Sequence, residues 1–183
     1  MTALTKLFIK TFLLTGIPFA IGMMGLHLIG GEALRIEKFL IYTTLFGGIM
    51  ALSLIAILKY HLRKIGIQKI AQEHLGVHQK RTIISTLSIE ELLQMLKDDP
   101  VFQLMVRKEI ENGILLQSTM TMKSWGEEIR IQIVSDRGSS YQYEISSRPR
   151  LKTTLIDYGK NLQNIRRMEA LLTGTMEIQQ STI

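Results

Sequence analysis

The chain has no cysteine, which excludes disulfides and thiolate-held metals. This leaves the compartment open, because many exported domains also lack cysteine. All four histidines lie before residue 79, so the later part of the chain has no imidazole for acid–base work. There is no low-complexity stretch and no internal repeat. What is most conspicuously missing is charge. Residues 11–31 and 39–58 contain no Asp, Glu, Lys or Arg. At 1.5 Å of rise per residue, a helix of about 20 residues is about 30 Å long, the thickness of a bilayer's hydrocarbon core.

Two such runs predict a two-helix transmembrane hairpin over residues 1–58, with spans at about 11–31 and 39–58. Lys6 and Lys10 give a basic start, as in a signal peptide. The apolar run is too long for an ordinary h-region, however, and no A-x-A-like site follows. Basic residues set the expected orientation. Lys6 and Lys10 precede the first span, and Lys59, Arg63, Lys64 and Lys69 follow the second, with no acid before Glu73. The connection, with Glu32, Arg35, Glu37 and Lys38, is balanced. The positive-inside rule then places both termini in the cytoplasm, and the chain reads as an integral protein of the plasma membrane.

Gly16, Gly22 and Gly25 in the first span, with Gly47 and Gly48 in the second, permit close backbone approach. They serve either packing between the two spans or a face for another membrane subunit. Pro18 is expected to kink the first helix. His27, near the outer end of that helix, is either tolerated at the interface or functional. A hairpin without charge in its interior suits anchoring better than transport.

Residues 59–78 read as a basic juxtamembrane helix, with Leu62, Ile65, Ile70 and Leu75 loosely on one side. Gly66 weakens it and Gly76 is a candidate end. His74 and His78 share an i, i+4 spacing, but nothing at suitable spacing completes a metal site. No metal or cofactor is expected.

From Gln79 the pattern changes to that of a soluble α+β domain over residues 79–175. Net charge from Lys59 onward is +4, from 18 basic and 14 acidic residues. Residues 81–87 have strand composition. Ser88 and Glu91 form a capping box ahead of Ile89, Leu92, Leu93 and Leu96, the apolar face of a short helix. The triplet at 98–100 ends that helix.

Alternation then predicts an antiparallel meander of about four strands. Its faces are Leu104, Val106, Lys108 and Ile110; Ile114, Leu116, Ser118, Met120 and Met122; Ile129, Ile131 and Ile133; and Tyr141, Tyr143 and Ile145. Turns fall at Asn112–Gly113, at 125–127 and at 136–138. A last helix follows from Tyr158, Leu162, Ile165, Met168 and Leu172, with Asp157 as its N-cap and Gly174 after its end. The order is strand, helix, meander, helix, and residues 176–183 read as a disordered tail.

Ser146, Ser147, Arg148 and Arg150, then Asp157, Gly159 and Asn161, then Arg166 and Arg167, form a pattern. It resembles the C-terminal stretch of a bacterial domain family of unknown function. There a Ser/Arg-rich strand leads to Asp-x-Gly-x-Asn and an Arg-containing helix. The present chain has extra residues between Arg150 and Asp157. The resemblance supports the α+β fold and carries no activity with it.

The same segment concentrates positive charge: Arg148, Arg150, Lys152, Lys160, Arg166 and Arg167 against Asp157 alone. Such a cluster suits anionic headgroups or an acidic partner. The helix start around Asp157 offers backbone N–H groups for an anion. The bland alternative makes Asp157 a cap and the arginines a solvated face, or partners of Glu144 and Glu169.

Nucleic acid is not an expected partner, because no recognised motif is present and Tyr141 and Tyr143 suit a core. Nor is an enzyme expected: there is no phosphate loop, nucleophile elbow or convincing carboxylate pair. Two functions remain. One is a membrane-anchored, non-enzymatic module that displays the domain at the cytoplasmic face for an unknown protein partner. The other is a lipid- or small-ligand-binding domain with an apolar pocket between sheet and helix.

Overall fold

A long uncharged apolar run satisfies its backbone polar groups most simply as a helix, and both runs do so. In this computed structural model, which describes residues 1–120 and 125–174, α1 is Ala3–Ile29 and α2 is Ile36–Lys64. Both are long and apolar enough to cross a membrane. Thr2 caps α1 by accepting from the Thr5 backbone N–H at 3.2 Å. The helix runs through Pro18. The chain divides into two compact units, Met1–Leu75 and Gly76–Ile183.

In the first unit, small residues set how the helices meet. A Cβ on Gly16 would lie 2.6 Å from the Thr43 carbonyl, and one on Gly47 would lie 2.7 Å from the Phe12 carbonyl. Only glycine fits at either position. Ala20 and Ala51 are fully buried beside them, and Phe19 stacks on Phe46 with centroids 3.9 Å apart. Gly22, Gly25 and Gly48 have open space where a Cβ would be, so two of the five glycines make the crossing. Large apolar side chains such as Leu14, Ile21, Leu45, Ile49 and Leu52 point outward.

The expected helix over 59–78 is not formed. Instead α2 continues to Lys64, and Gly66, at φ +81°, turns the chain in the left-handed conformation typical of a helix end. Gly66, not Gly76, is the terminator. Beyond it the unit has a single 3-10 turn, Gln72–Leu75. Leu62 and Ile67 are buried with Leu58, while Leu75 is half-buried.

In the second unit, β1 (Gln79–Ser85) leads into α3 (Ile89–Asp98). The strands β2 (Val106–Ile110), β3 (Gly113–Gln117), β4 (Glu127–Asp136) and β5 (Tyr141–Pro149) follow, and then α4 (Lys160–Thr173). The sheet has five strands in the order β1-β5-β4-β3-β2, all antiparallel. The expected meander is β2 to β5, and β1 adds itself beside β5. Helices cover one face, so β4 and β5 alternate: Ile129, Ile131, Tyr143 and Ile145 are fully buried, while Arg130 and Arg148 are exposed. Leu92 and Leu96 of α3 and Ile165 and Met168 of α4 close the core over them.

Several boundaries move for identifiable reasons. The capping box forms as expected, with Ser88 N donating to Glu91 and Glu91 N to Ser88 Oγ. The first strand is 79–85, because Ser85 Oγ already turns to bond the Leu172 carbonyl and the Leu87 N–H. Leu104 lies in a 3-10 turn, Phe102–Leu104. The hairpin loop is Glu111–Asn112, since Gly113 already pairs with Ile110. Asn112 alone takes positive φ, +53°. Gly113 is needed for another reason: a Cβ there would lie 2.0 Å from the Ile131 carbonyl of the neighbouring strand. At the far end β3 stops at Gln117, so Met120 lies off the strand. Met122 and the tail 176–183 lie outside the described residues.

The core of the second unit comes entirely from residues 83–172. A fragment Gly76–Ile183 is therefore expected to unfold cooperatively in urea without α1 and α2. A broad, non-cooperative transition would contradict this. Tyr143 gives the same fragment a pH signature. Its hydroxyl donates to the Leu87 carbonyl at 2.7 Å, and burial pushes the phenol up to about 12 from its ordinary 10. The folded state holds this proton after the unfolded state has lost it, so stability falls as pH rises through that window. Tyr143→Phe should flatten the alkaline decline, measured by urea midpoints across the window.

Candidate functional site

The Asp157–Asn161 segment begins with two successive residues in left-handed conformation, Tyr158 at φ +54° and Gly159 at φ +76°. Gly159, not Asp157, occupies the N-cap position of α4. Asp157 still does the capping work, from two residues further out. Its Oδ1 accepts from the Gly159 N–H at 3.1 Å, and its Oδ2 accepts from the Asn161 N–H at 2.8 Å. The Asp157 carbonyl takes the Lys160 N–H at 3.0 Å. Three of the N–H groups expected to receive an anion here, those of Gly159, Lys160 and Asn161, are thus bonded within the chain.

The Asn161 side chain extends the arrangement into the core. Its Nδ2 donates to Asp157 Oδ2 at 2.7 Å. Its Oδ1 accepts from Ser147 Oγ at 2.7 Å, and Ser147 Oγ accepts from Asn164 Nδ2 at 3.2 Å. Asn161, Ser147 and Asn164 are all buried. The bonds run in one direction, Asn164 to Ser147 to Asn161 to Asp157, and tie α4 to β5. Burial raises the Asp157 carboxyl above its ordinary range, although the bonds from Asn161 and Gly159 oppose that rise.

The six basic residues do not converge. Arg148 stands on the uncovered face of β5 and grips Glu128 on β4, with Nε at 2.9 Å and Nη2 at 2.5 Å. Burial pushes the Glu128 carboxyl up, but bonds from Arg148 and Gln117 outweigh it and hold the group below its ordinary range. Arg167, on α4, donates through Nε to Asp99 Oδ2 at 2.7 Å. Asp99 is only 3% exposed, and its other oxygen accepts from the Val101 and Phe102 N–H groups. Arg150 follows β5 and reaches the Ser118 carbonyl at 3.4 Å. Lys152 is exposed in a turn, Lys160 opens α4, and Arg166 lies beside Arg167 in mid-helix. The suggested acid partners are taken by others: Glu144 by Lys80 and Glu169 by Arg81.

His27 is part of a cluster that the sequence did not reveal. Its Nδ1 lies 2.8 Å from Glu32, and its Nε2 lies 2.7 Å from the Tyr42 hydroxyl. A carboxylate only accepts, so Nδ1 carries a proton and donates to Glu32. Lys38 completes the group at 2.5 Å from Glu32. Lys38, with His27, holds the Glu32 carboxyl below its ordinary range. The cluster ties the end of α1 to the start of α2. Among the described residues, no group of three or more His, Cys, Asp or Glu is placed to hold a metal.

No protein-family model and no curated protein matches this chain.

The site residues should separate by what their loss leaves behind. Asp157→Ala orphans bonded donors on Asn161 and should cost about 1–2 kcal/mol of stability. Arg167→Leu strips a buried carboxylate of its partner and should cost about 1–3 kcal/mol. Arg148→Leu removes a surface pair and should cost less than about 1 kcal/mol. Urea denaturation checks all three, and equal losses for the two arginines would contradict the assignment.

Proposed function

We propose that this chain is a membrane-anchored, non-enzymatic interaction module. Helices α1 and α2 cross the plasma membrane as a hairpin, both termini are cytoplasmic, and the α+β unit is displayed there for a protein partner. The observation that carries this reading is the packing of the hairpin. Glycine, alanine and threonine meet between the helices beside the single Phe19–Phe46 stack, and leucines and isoleucines such as Leu14, Ile21, Leu45, Ile49 and Leu52 face outward. Water drives large apolar groups inward, whereas lipid leaves them outside and favours small residues at the contact. The basic residues at both ends favour the orientation.

The interior of the α+β unit favours interaction over a ligand pocket. Tyr143, Phe102, Leu92, Ile145 and Met168 lie fully buried between sheet and helices. The resemblance to the bacterial family of unknown function adds a structural reading of its motif. In this chain Asp157 and Asn161, with Gly159 between them, join the start of the last helix to Ser147 of the sheet.

The chain's lack of cysteine allows a direct test. In intact cells, a membrane-impermeant maleimide should label Leu34→Cys in the connection. Ser181→Cys should label only after the cells are permeabilised. The reverse pattern would invert the orientation, and labelling of both in intact cells would remove the hairpin.

A further inference from the structure

We propose that one end of the sheet in the α+β unit is a docking surface for an anionic lipid bilayer, centred on Trp125; the inference rests on the membrane-anchored reading above. Three backbone segments are fastened together at this end. Ser118 N donates to the Glu127 carbonyl at 3.0 Å, and Arg150 N donates to the Gly126 carbonyl at 2.9 Å. Arg150 Nη1 reaches back to the Ser118 carbonyl. Gly126, at φ +89°, holds the turn, and a Cβ there would lie 2.8 Å from the Ser118 carbonyl.

An exposed apolar residue stands at the margin of each fastened segment: Met120 at 61%, Trp125 at 62% and Leu151 at 41% exposure. The unit's other large exposed apolar residues are Ile84 on β1, Leu104 and Val106 before and at the start of β2, and Val134 on β4. Trp125 is the chain's only tryptophan, and tryptophan is the side chain best suited to the boundary between headgroups and acyl chains.

The charge at this end matches an anionic surface. The described residues 117–120, 125–126 and 149–156 include no Asp or Glu, and Arg150 and Lys152 flank Leu151. The acid that follows Gly126, Glu127, is 4% exposed and accepts from Ser118 Oγ at 2.6 Å. The next, Glu128, is held by Arg148. Apolar tips flanked by bases that pair with no acid among the described residues are the composition of an interfacial anchor. Arginines 148 and 167, committed to Glu128 and Asp99, take no part.

The sole tryptophan serves as its own probe. The full chain would be reconstituted into vesicles of phosphatidylglycerol and phosphatidylcholine brominated high in the acyl chains, and into vesicles of the brominated phosphatidylcholine alone. Trp125 emission should shift to the blue and lose more than half its intensity in the anionic vesicles only. Arg150→Gln with Lys152→Gln should lower the docked-to-undocked ratio by roughly thirtyfold, each base being worth about 1 kcal/mol near such a surface. Raised salt should do the same.

A water-exposed, unquenched Trp125 in anionic vesicles overturns the proposal. So does shielding of the indole only when cytosolic protein is added, which would assign this end to a protein. An alkaline carbonate wash separates the two readings. A chain that resists the wash with Trp125 unquenched keeps the anchor and loses this surface. A chain that is stripped by the wash, yet quenched at neutral pH, keeps this surface and loses the anchor.

Discussion

The hydrogen bond from Ser147 to Asn161 decides where the last helix lies on the sheet. β5 is paired on both sides, with β1 and β4, so a helix fixed to β5 is fixed to the whole unit. Ser147 and Asn161 are fully buried, and each would be expensive to leave unbonded. A slide of α4 by one residue would break this bond and the Asn164 bond to Ser147 together. The apolar contacts of Ile165 and Met168 tolerate small shifts, but the polar chain does not. It supplies the register, and the hydrophobic contacts supply most of the driving force.

The two units solve the problem of close packing with opposite residues. In the helical hairpin, backbones approach because Gly16 and Gly47 have no side chain, and large groups are turned away. In the α+β unit, Tyr143, Phe102 and Met168 fill the space between layers, and small polar residues occupy the junction of β5 with α4. The difference follows from the surroundings each unit suits. Apolar side chains gain little by leaving lipid, whereas they gain about 25 cal/mol per Å² by leaving water.

Local signals were legible in the sequence, and distant ones were not. The Ser88–Glu91 box lies within one turn of chain and formed as expected. The strand alternation of Ile129, Ile131, Tyr143 and Ile145 was equally readable, because period and burial are the same information. Gly113 reads locally as a turn residue, whereas the reason for it is the Ile131 carbonyl on another strand. Asp157 reads as a cap and bonds as one, but two consecutive left-handed residues move the helix start past it. Asp99 and Arg167 are 68 positions apart, and nothing local marks them as partners. The same holds for Glu32, Tyr42 and His27, which meet only because the hairpin closes. Which of five glycines would touch depended on the rotation of each helix, which composition does not encode.

The sheet ends in two edge strands, β1 and β2, each paired on one side only among the described residues. Each carries charge: Lys80 and Arg81 on one, Arg107, Lys108 and Glu109 on the other. An open strand is a template for another chain. Confinement to a surface raises the encounter rate between identical copies well above that in free solution. In the proposed arrangement the unit would live under that confinement permanently. Charged outer strands would then let copies crowd in two dimensions without zipping into a continuous sheet.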